Sequence, residues 1–160
     1  MALLHLRQAR AHSVAGQPAD AYRAIDAALA AYDQAGPAAE DLPGMYWVSA
    51  GEIYQSAGSA ALTLGDPRRA LTQFAAALSH RDPYDANREA RGAMIYLARR
   101  AEAHLASGDL DAAVDAASRV LEMAGGVDSA RAADSLSGLR TDLTAYRHVA
   151  VVRDFLDLTA

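Results

Sequence analysis

Cysteine is absent from the 160 residues. No disulfide framework can form, no thiolate is available as nucleophile or metal ligand, and the chain suits a reducing cytoplasm. Lysine is absent as well: all fifteen basic residues are arginine. With two Phe and one Trp, a large aromatic core is excluded. β-branched residues are scarce, which argues against a mostly-β fold. No run approaches the ~18 consecutive apolar residues of a membrane span. The N-terminus lacks the basic head, apolar run and small-residue cleavage site of a signal peptide. The net charge of -5 argues against broad binding to nucleic acid, because that binding needs a basic face to displace counterions. A cytoplasmic chain that binds neither membrane nor nucleic acid directly is the expectation.

What the sequence does hold is alanine, leucine and arginine, all good helix formers. Alanine supplies about half of the 52% hydrophobic fraction, so helices facing each other through it pack close and thin. The phrase Gly-x-x-x-x-Ala marks three candidate corners, Gly16–Ala21, Gly65–Ala70 and Gly108–Ala113. Each copy ends one apolar-periodic segment and opens another. Glycine tolerates the left-handed cap that closes a helix. Asp or Pro after it suits the next helix start, and the final alanine lets two antiparallel helices approach.

Three such corners predict an array of helical hairpins. The periodicity places helices over 2–15, 18–36, 45–64, 67–80, 86–106, 110–123, 128–143 and 148–158. The fourth is expected to bury Leu71, Phe74, Ala75 and Leu78. The eighth is expected to close the array as a lid, with Val149, Val152, Phe155 and Leu156 turned inward. The chain is read as one all-α domain, 1–160, with hairpins at roughly 2–36, 45–80, 86–124 and 128–158.

These units resemble tetratricopeptide repeats. The middle unit matches that pattern best: Tyr54, Gly58 and Ala61 precede Gly65, and Ala70, Phe74 and Ala77 follow it. In the outer units Ala9 and Ala101 replace the small Gly, and His12 and His104 are read as occupying the family's Tyr position. The corners lie 49 and 43 residues apart, against a family period of about 34. This elongated, Ala- and Arg-rich form is similar to the C-terminal region of actinobacterial helix-turn-helix transcriptional regulators. The tail from Tyr146-Arg147-His148 to Val152-Arg153-Asp154-Phe155-Leu156 has the same look. The resemblance implies an α-α superhelix serving as a sensor or interaction module of a regulator.

No motif in the chain carries catalytic chemistry. His5 and His12 lie two helical turns apart, too far for one ion to bridge comfortably, and His80, His104 and His148 lack a ligand partner at i+3 or i+4. The serines have no nucleophile elbow, and the glycines form no phosphate-binding loop. Neither a metal, a cofactor nor an enzymatic activity is expected.

The first helix of each hairpin lines the concave surface of such arrays, where partners bind. That rule assigns Leu6, Arg10 and Ser13 to the groove from helix one, and Met45, Val48, Glu52, Gln55, Ser59 and Leu62 from helix three. Helix five contributes Arg88, Arg91, Ile95, Glu102 and Leu105, and helix seven Ser135, Leu139 and Asp142. Arg10, Arg88 and Arg91 are candidates to clamp a carboxylate. Trp47 is the candidate aromatic anchor, although it would equally serve to cover the end of the first hairpin. The expected function is non-enzymatic capture of a peptide, a partner protein or a second copy of the chain. The alternative is a small-molecule site or enzyme pocket between helices three, five and seven.

Overall fold

A computed structural model describes residues 1–35, 48–80, 86–124 and 130–158, apart from the side chains of 86–91, 93, 124, 130–133 and 135. Among the described residues every regular element is helical. The helices are α1 (Ala2–Val14), α2 (Pro18–Asp33), α3 (Ala50–Thr63), α4 (Pro67–Leu78), α5 (Ala86–Ala106), α6 (Leu110–Ala124), α7 (Ala130–Leu143) and α8 (Ala150–Leu158). A 3-10 turn, Thr144–Tyr146, follows α7. None of these helices is long and apolar enough to cross a membrane. The breaks expected between the hairpins, 37–44, 81–85 and 125–127, fall outside the described residues.

The three glycine corners share one construction. Gly16, Gly65 and Gly108 have φ of 68°, 78° and 79°, in the left-handed region. The amide of each glycine donates to the carbonyl three residues back: Ser13, Leu62 and Leu105. The next amide, of Gln17, Asp66 or Asp109, donates to the carbonyl five residues back: His12, Ala61 and His104. This pair of bonds is the Schellman closure, which satisfies carbonyls that the helix end leaves open.

The residue after each glycine then begins the next helix. Asp66 accepts from the Arg69 amide at 3.0 Å and Asp109 from the Ala112 amide at 3.1 Å, each the ordinary N-cap bond. Gln17 makes no such bond; its side chain pairs with His12 instead, Oε1 to Nδ1 at 2.6 Å.

Counting from the corner glycine gives the packing register. Five residues after it, Ala21, Ala70 and Ala113 are fully buried. Seven residues before it stand Ala9, Gly58 and Ala101; nine after it stand Ile25, Phe74 and Ala117, and all six are buried. The middle hairpin pairs the smallest first-helix residue with the largest second-helix one. A Cβ built on Gly58 would lie 2.5 Å from Phe74 Cε1, so this position admits glycine alone at the present helix separation.

By this count His12 and His104 align with Ala61, four residues before the glycine. They do not occupy the position of Tyr54, eleven residues before it, which His5 and Leu97 hold. The two histidines, three residues after the small position of Ala9 and Ala101, are corner residues, one turn from the cap.

The chain divides into two compact units, Met1–Ala86 and Asn87–Ala160. In the first, α1 packs on α2, α3 on α4, and α3 on both α1 and α2. Leu6, Ala9, Ala24, Ile25, Ala28, Ile53 and Ala57 form its core, with Leu29 and Tyr32 beside them. Arg69 of α4 lies 3.5 Å from the Tyr22 ring centroid, and Tyr54 stacks on His80 with centroids 5.0 Å apart.

In the second unit Met94, Ala98 and Ala101 of α5 share a core with Val114, Ala117 and Val120 of α6 and Leu136, Leu139 and Leu143 of α7. Val152, Phe155 and Leu156 of α8 complete it, as the reading of α8 as a closing element anticipates. Arg147, in the turn before α8, pairs with Asp157 near its end.

Two boundary and face expectations are corrected. α3 begins at Ala50, five residues after the expected Met45, because Ser49 caps it: its Oγ accepts from the Glu52 amide at 3.1 Å. In α4 the buried side is Ala70, Phe74 and Ala77, whereas Leu78 is 69% exposed. A close helix neighbour admits alanine where leucine would not fit.

Candidate functional site

Helix α3 places three of the expected groove residues on one face. Glu52, Gln55 and Ser59 follow at spacings of three and four, so their side chains rise one above another. All three are half-buried. Glu52 sits in the first turn, where a carboxylate suits the positive end of the helix, and its amide holds the Ser49 cap. The Ser59 carbonyl accepts the Thr63 hydroxyl at 2.9 Å. Neighbouring α1, which packs on α3, carries Arg10 exposed.

The second unit holds the other part of the set. Glu102 of α5 is half-buried and takes a bond from Arg99 one turn earlier, at 2.6 Å. Burial pushes its carboxyl above the ordinary glutamate value; Arg99 opposes that rise and Asp142 of α7 adds to it. Glu102 is thus a charge kept close to a protein surface that pays little of its hydration back. Arg88 and Arg91 fall on the first turns of α5, with side chains outside the described residues, and Trp47 lies outside them altogether.

Four other expected groove residues belong to the cores instead. Leu6, Ser13, Val48 and Leu139 are buried. Ser13 is satisfied internally, its hydroxyl donating to the Arg10 carbonyl at 2.8 Å. The rule that assigned them, that the first helix faces the groove, ignores that a helix in a hairpin also turns a stripe toward its partner helix.

The feature missed in the sequence is a side-chain pairing at two of the corners. The residue four before each glycine and the residue one after it are joined by the Schellman bond, and at the first corner the His12 and Gln17 side chains meet. At the third corner His104 Nδ1 stands 3.7 Å from Asp109 Oδ2. That spacing, His-x-x-x-Gly-Asp, was a readable signal. Among the described residues no three His, Asp or Glu side chains gather as a metal would require. Comparison with known proteins returns no matching family model, no matching curated protein and no matching solved structure.

Proposed function

We propose that this chain is a tetratricopeptide-repeat-like interaction module, an α-α superhelix of helical hairpins that captures a peptide or protein segment without chemistry. One observation carries the reading: three corners close with the same backbone hydrogen bonds and bury the same positions on either side. Repeated hairpins of this kind serve elsewhere as extended binding surfaces, because each repeat adds a strip of first-helix residues to one face. In the first unit the strip is Glu52, Gln55 and Ser59 on α3 with Arg10 on α1; in the second, by itself, it is Arg88, Arg91 and Glu102 on α5.

Half-buried polar groups on such a face favour a partner with its own polar groups, since a bare apolar ligand would strip their remaining water without replacing it. The arginines suit a carboxylate, an acidic side chain or a free C-terminus. Trp47 would supply the anchor. In the cytoplasm such a module fits the regulatory part of a transcriptional regulator. There a captured segment acts only if it binds one conformation better than another.

The test is selection from a random peptide library displayed on phage, with the full chain as bait. Enriched peptides should bind in the micromolar range, and binding should fall about tenfold in R88A/R91A at unchanged melting temperature. Failure to enrich any sequence, or binding indifferent to R88A/R91A and to E52A/Q55A/S59A alike, would remove this reading.

A further inference from the structure

The three corners place different chemistry at one spot. At the first, His12 meets Gln17 in a 2.6 Å bond. At the second, Ala61 leaves Asp66 to cap α4 undisturbed. At the third, a titratable ring stands beside a carboxylate that is also a helix cap. Asp109 Oδ1 accepts from the Ala112 amide at 3.1 Å, while its Oδ2 faces His104 Nδ1 at 3.7 Å, too far for a hydrogen bond. His104 Nδ1 itself is buried and lacks a hydrogen-bond partner among the described residues. A buried ring nitrogen left open costs free energy, and a proton arriving on it would have to find an acceptor.

Three charged groups act on this ring. Arg100 lies one turn back on α5, Asp109 stands at the corner, and Asp115 sits on α6. Burial, then Arg100, hold His104 below the ordinary histidine range; the two aspartates work the other way and do not overcome them. The ring is therefore neutral near pH 7.

We propose that the α5–α6 corner is an acid-sensitive hinge, in which a proton on His104 draws Asp109 Oδ2 toward the ring and sets it against the cap on α6. The proton comes from solvent and no bond other than hydrogen bonds changes. The folded chain accepts this proton less readily than the unfolded chain. Stability present above the ordinary histidine value of about 6.5 is therefore lost as the pH falls below it. Neither the first nor the second corner has this coupling, so the response is confined to the hairpin of α5 and α6. The inference rests on the corner geometry and holds whichever partner the helices carry.

The experiment uses the full chain. Thermal melts between about pH 7.5 and about pH 5.5 compare wild type with H104Q, which keeps size and polarity and removes the titration. Wild type should lose at least ~2 °C more than H104Q over that step. In the wild type alone, the His104 ring signals followed by NMR should titrate below about 6.5, and the Ala112 amide should exchange faster once they have. Equal melting losses in the two proteins, or a His104 midpoint at or above the ordinary value, would overturn the hinge.

Discussion

Gly58 of α3 faces the ring of Phe74 in α4 so closely that a Cβ on Gly58 would come within 2.9 Å of three ring carbons. Within helices glycine is normally a weakness, costing about 1 kcal/mol against alanine. Here the exchange reverses. G58A gains helix propensity but forces Phe74 or the helix axis to move, a strain of about 1–3 kcal/mol. G138A in α7 is the control, since nothing lies within 4 Å of a Cβ there. Urea denaturation should show G58A destabilised and G138A stabilised by about 0.5–1 kcal/mol.

The corners make a prediction about caps. Asp66 and Asp109 each hold an amide of the following helix, and D66A or D109A should cost about 0.5–2 kcal/mol. Gln17 has no such bond, so Q17D should stabilise the chain by up to about 1 kcal/mol. A loss of stability in Q17D would mean that the His12–Gln17 bond contributes more than a cap does.

Glu102 gives a prediction with pH. Burial raises its carboxyl above the ordinary glutamate value despite Arg99, with Asp142 adding to the rise. The folded chain binds that proton more readily than the unfolded chain. Glu102 thus weakens the fold above the raised value and ceases to do so as the pH falls through it. E102Q should be at least as stable as wild type at neutral pH, with the advantage shrinking toward about pH 4.5. Melting curves across that range decide it: an E102Q protein weaker at neutral pH would show the Arg99 pair outweighing burial.

Much of the fold was legible because glycine, proline and aspartate punctuate it. The three Gly-x-x-x-x-Ala phrases mark corners at the right residues, and the α8 stripe of Val152, Phe155 and Leu156 reads directly from spacing. Hydrophobicity misled where packing is tight. Leu78 outranks Ala77 on any scale, but spacings of three and four from Phe74 are both helical, and the close approach of α3 selects the smaller residue. The start of α3 was readable too: Ser49-x-x-Glu52 is a capping signal, outweighed in the sequence by the apolar Met45 to Val48. The candidate site was less legible. A solvated face and a partner-binding face use the same Glu, Gln, Ser and Arg, and periodicity cannot separate Ser13, which turns into the core, from Ser59, which stays half-buried on α3.

A double-mutant cycle on Gly58 and Phe74 tests the shared register most directly. The first hairpin solves the same position with Ala9 and Ile25, so G58A/F74I rebuilds that solution in the second. If all hairpins follow one register, G58A should be costly beside Phe74 and nearly harmless beside Ile, a coupling of at least about 1 kcal/mol. Effects that add within about 0.5 kcal/mol would contradict the register and the repeat reading built on it.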